Sequence, residues 1–404
     1  MPNRVRISGI IANKGFCSCA LLLLSIFNLG PAGCSGVVSQ ANNPAPMGTA
    51  GASVTTLASG ASRIPSTLGW YQIPNTNLSS VCPSYSEIQG TGGCAATMTA
   101  WSGGLFDTSR NRFITWGGGH TDYFGNEIYA VNLSANPITT TLLKDAAHGS
   151  AVSNVNSCPE AYNDGTMSSR HTYSGLVYIP TTDRYWEFGG AVPGPCGNFS
   201  NNTWSFNPTT LTWTQDNVGG GPNSGGNGSL PSAAYDSVNN AIYMVENNVP
   251  NFWRYNVAPK RWTNLGGISI VCQSTTITAA IDPVRRMYFC IGGGAFSKVS
   301  LNSPFTASNL TASGCSTLKN TSAPGFTYDP VQQRMVGWAG GNTVYIYNPD
   351  TNSCTTQTFS GGPTTIQGNG TYGRFQYSPA SGVFIVANDV DSNAYALRLT
   401  TERR

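Results

Sequence analysis

The apolar residues of this chain fall in short runs separated by turn formers, and no stretch sustains the spacing of an amphipathic helix. Six segments share one order of events. A first strand ends in an aromatic residue or Ile, in four cases followed by Asp: Phe106-Asp107, Tyr178, Tyr235-Asp236, Ile281-Asp282, Tyr328-Asp329 and Tyr377. A turn follows (TSRN, PTTD, SVNN, PVRR, PVQQ, PASG), then an apolar second strand. That strand often runs into glycines, as in WGGG at 116–119, FGG at 188–190, IGGG at 291–294 and WAGG at 338–341. A third strand closes on Asn132, Asn207, Asn256, Asn302 or Asn348.

The later units repeat with the period of a four-stranded supersecondary unit: Tyr235, Ile281, Tyr328 and Tyr377 follow one another at 46, 47 and 49 residues. Trp204 and Trp213 lie nine residues apart, as do Trp253 and Trp262, and Tyr345 and Cys354, which places each pair on the third and fourth strands of a unit. The di-glycine strand ends and paired aromatics resemble the kelch repeat, also found in galactose-oxidase-type propellers, over roughly residues 67–400. The resemblance implies an all-β propeller of about six four-stranded blades, and it implies little about function. A degenerate seventh blade within 134–169 is the alternative. The sixth unit runs out after its third strand at Leu399, while Gly69-Trp70-Tyr71-Gln72-Ile73 reads as a fourth strand without its first three. An N-terminal strand completing the last blade would remove the open edge.

Composition agrees with this class. The chain has 404 residues, of which 10% are charged, with 47 Gly and 24 Pro. Residues 1–34 read as an export signal, with Arg4, Arg6 and Lys14 ahead of the apolar run Ala20–Leu29. Pro31-Ala32-Gly33-Cys34 resembles a bacterial lipobox, which implies lipidation at Cys34. Pro31 stands where Leu is usual, so plain signal cleavage is the alternative. Ser35 after the cysteine points to the outer membrane. Residues 35–66 lack aromatics and read as a tether to a propeller domain at 67–404. Without the signal the formal +3 disappears, leaving 18 basic and 18 acidic residues. That balance argues against nucleic acid and against electrostatic adhesion to lipid. A monomer touching the membrane only through Cys34 is expected. Of 11 cysteines, eight remain in the mature domain, an even set that suggests disulfides in an oxidising compartment. Proximity favours Cys82–Cys94 and Cys158–Cys196. No CxxC or Cys/His cluster has zinc spacing, and no metal or cofactor is expected.

In a propeller, the loops joining strand two to three and strand four to the next strand one share a face. All three histidines fall in such loops: His120 after WGGG, His148 in the long connection before the second blade, and His171 at that blade's start. Arg170 and Tyr173 flank His171, and Asp122, Tyr123, Asn126 and Glu127 follow His120. Ring closure would bring Tyr372 and Arg374 alongside. Each has a plain structural reading: His120 as a loop cap, Tyr173 as core, His148 exposed and inert, Arg170 and Arg374 paired with a structural Asp, Glu127 in an ion pair. The functional reading makes His120, His171, Arg170 and Tyr173 catalytic, with His148, Tyr123, Asn126, Tyr372 and Arg374 binding substrate. No His follows residue 171, which argues against copper-radical oxidation, and GxSxG and Asp boxes are absent. The set is similar in kind to that of secreted propeller lyases acting on uronic polysaccharides such as ulvan. A lyase needs a cation for the carboxylate, a base for the C5 proton and an acid for the leaving oxygen. The alternatives are a non-catalytic glycan-binding or scaffolding propeller, and a sugar epimerase or mutarotase using an Arg and Glu127. Replacing the thiol tests the anchor: Cys34→Ser should move the protein from the membrane fraction to the soluble fraction of its host, and unchanged membrane association contradicts lipidation.

Overall fold

The computed structural model describes residues 63–401, apart from 217–220, 223–229, 247–248, 273 and 365. The signal, Cys34 and the tether up to residue 62 lie outside the described residues. The chain forms six antiparallel four-stranded sheets. Their first strands are Gly104–Asp107, Leu176–Ile179, Ser232–Asp236, Thr278–Asp282, Gly325–Asp329 and Phe375–Ser378. Each first strand touches the next, and the last touches the first, so the six surround an axis. They enclose a central cavity of about 230 Å³. This is an all-β six-bladed propeller. The stretch 134–169 supplies one outer strand, Thr140–Lys144, and two turns of 3-10 helix, so there is no seventh blade in it.

The repeating residues have local reasons. Asp107, Asp236, Asp282 and Asp329 are buried at the ends of first strands, and each accepts backbone N–H groups of the following turn. A short carboxylate that folds back on its own turn is what this position needs. Some of these turns also tie blades together: Arg110 bridges Asp107 and Asp183 of the next blade, and Arg286 reaches back to Asp236. Second strands such as Ala241–Val245 are buried throughout, whereas the outer Thr212–Asp216 alternates exposed and half-buried positions. Blade-to-blade packing is aromatic. Trp186 lies 5.5 Å from Tyr255 and 5.9 Å from Trp262, ring to ring, in the neighbouring blade. Burying each large apolar side chain of this kind contributes about 1.5–3 kcal/mol. The nine-residue spacing marks adjacent strands, although the residue directly opposite Trp213 is Phe206 and that opposite Trp262 is Tyr255. The fourth blade's third strand stops at Ser300, two residues short of Asn302.

The ring closes as the sequence implies. Gly69–Gln72 pairs antiparallel with Tyr395–Arg398, with Trp70 opposite Leu397 and Tyr71 opposite Ala396. Ile64 packs on the core and the Pro65 carbonyl accepts the Arg398 guanidinium, so the residues just before this strand are already fastened. After it, Thr76 accepts the Ala394 N–H through its hydroxyl and holds Thr140 through its carbonyl. The segment 73–101 then folds over the first blade with Leu78, Ile88 and Met98 buried. Cys82–Cys94 and Cys158–Cys196 are bonded as proximity suggests, and Cys272–Cys290 and Cys315–Cys354 complete the set. Among the described residues, no helix is long and apolar enough to cross a membrane.

The closing strand should be indispensable. Removing residues 67–76 is expected to abolish the cooperative thermal transition, whereas removing 35–60 leaves the melting temperature nearly unchanged. Equal melting of the two truncations would show that the ring does not depend on this strand.

Candidate functional site at the channel mouth

Four blades enter the channel through a residue in the left-handed conformation just before the first strand: Trp101, Tyr173, Ala323 and Tyr372, with φ of 46°, 47°, 36° and 50°. Backbone bonds link these entries around the mouth. The Tyr173 N–H donates to the Trp101 carbonyl at 2.7 Å, and Thr371 and Tyr372 donate to the Ala323 carbonyl. Ala323 donates in turn to Thr276 of the fourth blade. Tyr173, Tyr372 and Ala323 form an apolar plug flanked by Trp101, Phe199 and Leu230. The rings of Tyr173 and Tyr372 meet edge to face at 5.9 Å.

The histidines sit beside this plug. The glycines before His120 let its loop lie flat on the second blade: a Cβ on Gly119, whose φ is +88°, would come within 2.3 Å of the Ala191 carbonyl. His120 then donates its N–H to Val192 and accepts from Gly194, while His171 donates to Ala191. Cys158–Cys196 staples the same 190s loop to the long connection. These straps put the rings of His120 and His171 4.6 Å apart. Trp101 lies 5.1 Å and Tyr173 6.0 Å from His171, and Phe199 lies 5.5 Å from His120. The Asp122 carboxylate holds His171 Nε2 at 2.8 Å. His120 Nε2 and His171 Nδ1 are buried and have no hydrogen-bond partner among the described residues.

The electrostatics divide these groups. Burial, aided by the neighbouring His171, lowers the pKa of His120, and Asp122 opposes the shift. The hydrogen bond to His171 lowers that of Asp122. Burial raises that of the Tyr173 hydroxyl, which therefore keeps its proton. A neutral base, a carboxylate-backed imidazole and a protonated phenol thus share one place.

The other expected site residues are placed elsewhere. Arg170 is wholly buried, bound to the carbonyls of Ser168, Gly189 and Glu160 and paired with Glu160 and Glu187 at 3.5 and 3.6 Å. Burial pushes Glu187 up to about 8 despite that arginine. Arg374 is equally buried and donates to the carbonyls of Ala387, Gly370 and Ser102, with no carboxylate among its bonds. Burial lowers it to about 9. Both guanidinium groups fasten backbone under the mouth and present no charge to it. Tyr372 is buried and donates to the Thr275 carbonyl. Asn126 clamps the long connection through Met167 and Ala147. Tyr123 is buried in the core of the segment over the first blade. Glu127 makes no ion pair among the described residues; it accepts the Tyr129 hydroxyl at 2.6 Å, and burial raises its pKa. His148 is exposed and stacks on Tyr85 at 4.1 Å. Sequence reasoning gave no role to Asp122, although it lies two residues past His120, and overlooked Trp101 and Phe199.

Neither a protein-family profile nor a curated protein sequence matches the chain. Among solved structures, a protein of unknown function from Bacteroides thetaiotaomicron is 12% identical, with a TM-score of 0.50 over 82% of this chain and 76% of that one. A fungal alcohol oxidase of the AA5 family, determined with copper, is 13% identical with a TM-score of 0.44, over 74% of this chain and 62% of that one. The first likeness supports the propeller fold and nothing finer, and the second is too slight to carry an argument.

The charge pattern at the mouth can be read by nuclear magnetic resonance. The His120 ring should titrate below the ordinary histidine range, and Asp122→Asn should lower it further, because the carboxylate favours its charged form. Because its folded pKa is depressed, His120 contributes stability above the unfolded value of about 6.5, lost as the pH falls through the folded value. An upward displacement in Asp122→Asn would contradict the arrangement.

Proposed function

We propose that the mouth is an acid–base site for glycans and that its reaction is β-elimination at a uronic acid residue. The observation that supports this most is the juxtaposition of two imidazoles, each with an unpaired ring nitrogen among the described residues, beside a protonated tyrosine and an aspartate that orients one of the rings. His120, whose pKa burial lowers, takes the C5 proton on its half-buried ring. The C5–H electron pair becomes the C4–C5 double bond as the C4–O bond breaks. The leaving oxygen receives its proton from the Tyr173 hydroxyl. His171, hydrogen-bonded through Nε2 to Asp122, braces His120 from 4.6 Å, ring to ring. Arg170 and Arg374, to which sequence reasoning gave the substrate carboxylate, do not face the mouth. Four disulfides fit an exported protein. A surface lipoprotein that meets polysaccharide outside the cell is consistent with that.

Rates of formation of the ultraviolet-absorbing unsaturated product provide the test. His120→Ala, His171→Ala and Tyr173→Phe should each lower turnover of a uronic polysaccharide by about a hundredfold or more, with melting temperatures near wild type. Arg170→Ala unties the Ser168, Gly189 and Glu160 carbonyls from a wholly buried site and should instead lower the melting temperature. Active but unstable histidine variants would mean that the rings are loop caps.

A further inference from the structure

The protein has nine tryptophans, and their indole N–H groups sort them. Those of Trp70, Trp253, Trp262 and Trp338 donate within the chain. Those of Trp116, Trp186, Trp204 and Trp213 are buried, with no hydrogen-bond acceptor in bonding geometry among the described residues. Trp101 belongs to neither group. Its side chain is only partly buried, and its N–H donates to nothing among the described residues. It also stands in the left-handed region, where a bulky side chain is strained and Gly or Asn would be easier. Its counterparts at the mouth have internal reasons for that geometry. Tyr372 is buried with its hydroxyl bonded, Tyr173 is buried against Tyr372, and Ala323 is small. The strain at Trp101 holds a partly open indole 5.1 Å from the ring of His171, with Phe199 partly open beside His120.

We propose that Trp101 is the stacking platform for a pyranose ring bound at the mouth, with Phe199 as a second wall and the indole N–H donating to the sugar. A pyranose presents a face of C–H groups that fits an aromatic plane, while its edge presents hydroxyls for a free donor. A glycan chain is the occupant because both walls are flat and apolar, while the polar groups between them, His120, His171 and Tyr173, are uncharged or paired. The plug of Tyr173 and Tyr372 closes the channel beneath. The chain therefore lies across the face, with the stacked unit beside the imidazoles. The platform rests on the glycan part of the proposed function and not on its chemistry.

Tryptophan emission of the whole mature domain, titrated with a uronic tetrasaccharide prepared from ulvan and with neutral cellotetraose, separates the two claims. The uronic sugar should produce a saturable change in wild type that is lost in Trp101→Phe, while calorimetry still finds binding within about tenfold. Trp101→Ala and Trp101→Asn should weaken binding by at least tenfold, and Asn should also keep the melting temperature, because it tolerates the left-handed backbone. A change seen with cellotetraose alone, and lost in Trp101→Phe, keeps the platform and overturns the uronic reading. An emission change that survives in Trp101→Phe, wild-type affinity in the Ala and Asn variants, or no binding of either sugar overturns the platform.

Discussion

The ladder between Gly69–Gln72 and Tyr395–Arg398 is the constraint on which the remaining architecture rests. Without it, the sixth blade would present a bare edge to solvent, a template for aggregation. With it, the first strand of that blade is locked beside the first strand of the first blade, and the mouth acquires its sixth wall. Only then do Tyr372 and Tyr173 meet, and only then does Arg374 reach the Ser102 carbonyl across the junction. A contact between the two ends of the chain thus sets the geometry of residues far from either end.

The mouth is rigid because its polar interior is tied to backbone. Two wholly buried arginines serve carbonyl groups, and two buried glutamates, Glu127 and Glu187, are held with raised pKa values. A buried guanidinium is tolerable when its hydrogen bonds are met, and each arginine meets them on backbone carbonyls beside the entry turns. Arg374 is the clearer case, since its donors serve the Ala387, Gly370 and Ser102 carbonyls and no acid pairs with it among the described residues. These side chains look like active-site cations in sequence because they are charged and lie near His171. Their chemistry is that of scaffolding.

What could be read from sequence was what the blade repeats locally. The Asp of four first-strand turns, the di-glycine strand ends and the missing last strand are all marks of a period, and each corresponds to a structural feature. The reading fell short where long-range contact or burial decides. Asp122 and His171 are 49 residues apart and meet only because two loops share a face. Whether a guanidinium faces solvent or a carbonyl cage depends on which way the chain turns at Ser168–Arg170, and no spacing encodes that. The fold over 73–101 was silent because it follows no period. Trp101 went unnoticed because what sets it apart is a positive φ and an N–H with no partner among the described residues, and neither is visible in a one-letter code.

Acid–base chemistry at the mouth is the central claim, and elimination differs from hydrolysis in the mass of what it leaves. Mass spectrometry of the oligosaccharides released from a uronic polysaccharide tests it most directly. The account predicts a new end lighter by one water than hydrolysis would give, and its disappearance when His120 and His171 are both replaced by Ala in a protein that remains folded. Products carrying the added water, or the same unsaturated ends from the doubly substituted protein, would contradict it.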